Sequence, residues 1–217
     1  MQPILTVTTP ATSLALLTVG EARAALGLTT GARDADLTRA VNRISAAIQR
    51  ACNLATDGLT PPTLLSETLT DTFRLDWRPA GPLILSRRRV SAINSVVEND
   101  EPLVAADYLI DPPSGLFDRL CSDRRSSWPF GKIVVEYVAG FATVPDDLKL
   151  AAETWLRMLW RDGYETPAQI ADPMLKSEEI PGVLSRTWWV DPTKAEILPE
   201  AVRDMLCAGG YIETWVA

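Results

Sequence analysis

The sequence predicts an α+β fold: a small helical bundle, an antiparallel β module inserted between its halves, and a C-terminal arm carrying a short helix. Three observations predict it. Residues 36–55 repeat apolar side chains at helical spacing. Residues 65–138 change to threonine-rich, partly alternating stretches separated by turn residues. After Gly163 regular periodicity fades, with prolines at 167, 173, 181 and 192. A core over 1–163 and an arm over 164–217 follow.

In chain order, Thr18-Val-Gly-Glu21 has the spacing of a capping box and opens a helix over 18–26, stopped by Gly27. Asp34 or Asp36 can cap the next helix, 36–55, whose apolar face is Leu37, Val41, Ile44, Ile48, Ala51, Cys52 and Ala55. Arg39, Arg43 and Arg50 line its back, either as a solvated face or as a contact with an acidic neighbouring subunit or DNA phosphate. Tandem prolines at 61 and 62 end the helical region.

Within the β module, Glu67 to Leu75 reads as a strand, and Pro82 to Val97 as an apolar run interrupted by Arg87-Arg88-Arg89. The triplet reads as a strand edge protected by charge, with a protein contact or phosphate binding as alternatives. Asn99-Asp100 marks a turn, and Tyr108 to Ile110 with Leu116 to Leu120 forms a hairpin around Asp-Pro-Pro-Ser-Gly. Arg124-Arg125 falls in a serine-rich loop. Ile133 to Val138 alternates as a buried strand, which Ala139-Gly140 breaks.

Pro145 with Asp146 and Asp147 starts a helix over 145–162, because the free N–H groups and dipole of a first turn favour negative charge. Leu148, Ala151, Ala152, Trp155, Leu156, Met158 and Leu159 fill a wide apolar arc, leaving Leu150 and Trp160 on the polar side as candidates for subunit contact. Leu198-Pro199-Glu200 opens the last helix, 199–207, with Val202, Met205 and Leu206 on its apolar side. Trp188-Trp189, paired on a polar segment, reads as an interface anchor.

Composition narrows the function. Nearly half of the 217 residues are apolar, which supports a real core. A net charge of -7 argues against a protein whose main task is gripping nucleic acid. There are three cysteines and no histidine, so zinc sites and histidine-based catalysis are excluded. Cys52 and Cys207 read as small buried side chains within helices. Residues 1–17 lack a basic start and do not read as a secretory signal, and no stretch has the length of a membrane span. Asp71, Asp107, Asp111, Asp146, Asp147, Glu178 and Glu179 are the available carboxylates, without a phosphate loop, nucleophile elbow or partner base beside them. No catalytic, cofactor-binding or metal site is expected.

Asp-Tyr-Leu-Ile-Asp at 107–111, Trp128-Pro129 with Gly131, the strand containing Tyr137 and Ala139-Gly140, and Val144-Pro145-Asp-Asp-Leu148-Lys149 resemble the head-tail connector (adaptor) proteins of long-tailed bacteriophages and phage-like gene transfer agents. The resemblance implies a structural virion protein at the head-tail junction, made in the bacterial host cytoplasm. It implies a homo-oligomeric ring of about twelve copies under the portal protein. The ring would extend the channel for double-stranded DNA and present a platform to a downstream stopper or tail-neck protein. Arg39, Arg43, Arg50, Leu150 and Trp160 are then candidates for the subunit interface, and Trp188, Trp189, Val202, Met205 and Leu206 for portal docking. A stopper or tail-completion protein, and a non-viral DNA-binding or scaffold module, are the alternatives.

Overall fold

Apolar segments far apart in sequence meet in two clusters, one made by helices and one by strands. The computed structural model describes residues 3–76, 79–160 and 198–212, together with the backbone of 177–180 and 184–187.

Four helices share the first cluster. α1 (Val19–Ala25) carries the expected capping box: Thr18 accepts from the Glu21 N–H, and Glu21 accepts from the Thr18 N–H. α2 (Asp34–Ala51) buries Leu37, Ala40, Val41, Ile44 and Ile48. Its N-cap is Arg33, without a side-chain cap, so Asp34 and Asp36 serve the first turn rather than cap it. The helix ends at Ala51, short of the expected residue 55, because Asn53 takes a left-handed φ of 54°. Two polar residues on the buried face fasten the flanking loops. Ser45 Oγ accepts from the Leu16 N–H, and the Gln49 amide bonds the Leu14 carbonyl and the Leu64 N–H.

α3 (Asp146–Trp160) packs against α1, α2 and α4 (Glu200–Ala208). Three partners explain its wide buried arc, which reaches further than the sequence suggests. Trp160 is 1% exposed and belongs to this core, with the Arg33 guanidinium 5.5 Å over its ring. The placement of Trp160 on a polar side is corrected accordingly. Cys207 is also corrected: it is exposed on α4, whereas Cys52 is buried as expected.

Glu21 also ties α1 to α3 by accepting from Lys149 Nζ at 2.7 Å. That bond, with the Thr18 donors, lowers the Glu21 pKa from 4.5 to about 2. The unfolded chain therefore binds the proton first as pH falls. The stabilisation is complete above 4.5 and is lost as pH drops toward about 2. Urea midpoints measured down this range are expected to fall less steeply in Glu21→Gln than in wild type, from a lower starting value; parallel curves would remove Glu21 from the acid transition.

The strands make two facing layers. In the larger sheet β1 (Ile4–Thr9), β2 (Glu67–Leu75), β9 (Gly131–Ala139), β4 (Val90–Glu98) and β5 (Glu101–Pro102) follow in that order, each antiparallel to its neighbour. In the smaller, β3 (Leu83–Ile84), β7 (Leu116–Cys121) and β6 (Tyr108–Asp111) pair, with β8 (Arg124–Ser126) on β7. The β6–β7 hairpin matches expectation, as does the Asn99-Asp100 turn, where both residues have positive φ. Leu69, Phe73, Ile133, Val135 and Tyr137 on one face of the large sheet pack with Leu83, Leu85, Phe117 and Trp128. β10 (Ser177–Ile180) and β11 (Leu184–Thr187) form an antiparallel pair.

β1 was not foreseen, although Ile-Leu-Thr-Val-Thr-Thr alternates. Val7 N–H and the turn amides of Leu59 and Thr60 converge on the Asp57 carboxylate, which joins this edge strand to the loop after α2.

Candidate functional site

A group of buried polar side chains lies where the two clusters meet. Along β2, Glu67, Leu69, Asp71, Phe73 and Leu75 point to one face, so the period of two puts two carboxylates in phase with the core. Asp71 is fully buried; it accepts from the Ser86 N–H at 2.6 Å, Ser86 Oγ at 2.7 Å and Tyr137 Oη at 3.0 Å. Tyr137 Oη in turn accepts from the Arg87 N–H, and the Arg87 guanidinium reaches the Thr63 carbonyl and Glu67 Oε2. Desolvation raises the pKa of both carboxylates, against the opposing pull of their hydrogen bonds and Arg87. Burial with Asp71 close by pushes the Tyr137 hydroxyl far up. An approximately 10 Å³ cavity beside Glu67 and Arg87 has room for one water at most. The arrangement fastens the 85–89 loop to the sheet and leaves no space for a substrate.

The arginine triplet lies in this loop, not on a strand edge. Arg87 is buried, and Arg89 has φ 58°. Three residues in a turn point in different directions. The Arg89 guanidinium donates to the Gly210 carbonyl at 2.7 Å and lies over the rings of Phe141 and Tyr211. Tyr211 Oη donates to Asp147, so the end of α4 is tied both to the loop and to the start of α3. Arg125 pairs with Asp118, and Arg119 with Glu98 and Asp107.

Among the candidates for subunit contact, Arg39, Arg43 and Arg50 form an exposed stripe on α2, with Arg39 paired to Asp36. Leu150 is 50% exposed on α3. Trp160 does not join them. Among the docking candidates, Val202 and Leu206 are each 0% exposed in the helical core and Met205 is half-buried beside it, so the apolar side of α4 is covered by its own chain. Portal docking through Val202 and Leu206 is corrected; Trp188 and Trp189 lie outside the described residues. Leu206→Ala is expected to lower the unfolding free energy of the isolated protein by about 2–5 kcal/mol. A change within about 0.5 kcal/mol in chemical denaturation would restore the surface role.

The sequence reading missed the Asp71–Tyr137–Arg87–Glu67 network, though charged residues at core-facing strand positions were its signal. Among the described residues no group of three or more His, Cys, Asp or Glu is placed to hold a metal ion, and no helix is long and apolar enough to cross a membrane.

The buried polar groups hold loop to sheet, while the α2 arginines and Leu150 lie on the surface. A sequence model of the head completion protein (HCP) family matches residues 15–166. The chain belongs to that family, a family of structural virion proteins, and its place is the head-tail junction of the virion. One solved structure similar to it is described as "Neck of empty GTA particle computed with C6 symmetry", 23% identical, covering 76% of this chain and 87% of that chain at a TM-score of 0.49. No curated protein matches.

Proposed function

We propose that copies of this chain form a ring of about twelve beneath the portal, extend the DNA channel, and present a platform to the next neck protein. The family match over 15–166 carries this reading, since it takes in α1 to α3 and strands β2 to β9. The helices act as a small bundle within a core over 1–163, and 164–217 acts as an arm toward the portal whose last helix, α4, returns to pack on that core. Trp188 and Trp189 are its proposed anchors. Leu150 and the Arg39, Arg43, Arg50 stripe face neighbouring subunits. A net charge of -7 suits a conduit in which double-stranded DNA slides without sequence-specific contact.

Deleting the gene is expected to leave DNA-filled heads without tails, and cryo-electron microscopy of wild-type particles should find the chain as a closed ring against the portal. Density at the tail side of another ring would make it a stopper. Tailed, infectious particles without the protein would overturn the proposal.

A further inference from the structure

Among the described residues, nothing covers the outward face of the five-stranded sheet. The described helices pack with one another and the second sheet lies on the opposite face, so no described element lies over it. Register places Thr72 beside Val134, Thr70 beside Glu136, and Glu136 beside Ser95. Strand faces left to water ordinarily alternate to charged residues. This one is mostly threonine and valine, with Glu136 near its middle, and with Arg74 and Lys132 paired at one end.

The α2 stripe is complementary. Asp36, Arg39, Arg43, Ala46 and Arg50 recur at intervals of three and four, on one line of the helix. Arg43 and Arg50 are exposed and have no ion pair among the described residues. Asp36 and Arg43 lie about 10 Å apart along a helix that rises 1.5 Å per residue. Lys132 and Glu136 lie about 13 Å apart along a strand that rises about 3.3 Å per residue. A helix laid along β9 can therefore set Arg43 on Glu136 and Asp36 near Arg74 and Lys132, with small Ala46 permitting close approach.

We infer that the α2 stripe of one copy docks on the bare sheet face of the next copy, with Arg43 meeting Glu136. Two different surfaces of the same chain then meet, a heterologous contact that repeats around an axis and closes into a ring. The inference rests on the ring reading above and names its faces.

The test uses assembled particles carrying Ala46→Cys and Thr70→Cys, with the exposed Cys121 and Cys207 replaced by serine. Mild oxidation is expected to give a ladder of cross-linked multimers on a denaturing gel only when both new cysteines are present. Glu136→Arg is expected to reduce tailed particles at least about tenfold, the effect of a like-charge contact costing 1.4 kcal/mol or more, and Arg43→Glu in the same chain should restore them. A ring at the neck with neither ladder nor rescue would overturn this contact while leaving the ring intact. Absence of the protein from the neck would overturn both.

Discussion

Trp128→Ala is expected to reduce the unfolding free energy by about 3–5 kcal/mol, the range for removing a large aromatic side chain from a packed core. Trp128 is 0% exposed; its ring stacks on Phe117 with centroids 5.1 Å apart, and its Nε1–H donates to the Phe117 carbonyl at 3.2 Å. Its backbone also exchanges two hydrogen bonds with Ala80. Truncation removes packing between the two sheets and the Trp128 hydrogen bond to the Phe117 carbonyl. Trp128→Phe keeps most of the volume and loses the hydrogen bond, so its cost should be smaller, about 1–3 kcal/mol. Equal losses in the two variants, measured by urea unfolding, would mean that the hydrogen bond rather than the packing dominates.

Gly140→Ala is expected to be nearly as damaging, at roughly 3 kcal/mol or more, because strain and collision act together. Gly140 has φ 102°, where a side chain is strained whatever the space. A Cβ there would stand 2.4 Å from the Leu65 carbonyl oxygen, a backbone atom held by the pairing of Leu65 and Ser66 with Phe141. Relief would require the sheet to part from the chain entering β2, so the thermal midpoint should fall by well over 5 °C for a protein of this size. Gly27→Ala provides the contrast: φ is positive there too, at 67°, but no atom lies within 4 Å of the added Cβ. A Gly140→Ala variant no worse than Gly27→Ala would show that the close approach has no weight.

Both positions belong to the residues that carry the resemblance, and their roles explain why such short pieces were readable. A tryptophan that closes a core and a glycine that passes against a carbonyl are local requirements, visible one residue at a time. The same holds for the Thr18–Glu21 box and for Asn99-Asp100, where local chemistry decides the turn. Trp160 was misread because helical periodicity describes one face toward one partner, while α3 has three. Val202 and Leu206 were rightly assigned to an apolar face, but sequence cannot say whether such a face meets its own chain or another. Arg87 to Arg89 were misread for a related reason: the loop's hydrogen bonds to Tyr137 and Thr63 span 50 and 24 positions. The bare sheet face depended on strand order, which periodicity does not encode.

The helical cluster draws on residues from Leu16 to Tyr211, so the segment that seals it leaves the ribosome after the three helices it covers. Until α4 emerges, Leu148, Leu156 and their neighbours lack part of their cover, and the nascent chain exposes a greasy flank suited to a chaperone. A protease cut between α3 and α4 would leave a weakened pair of fragments rather than a trimmed but sound subunit.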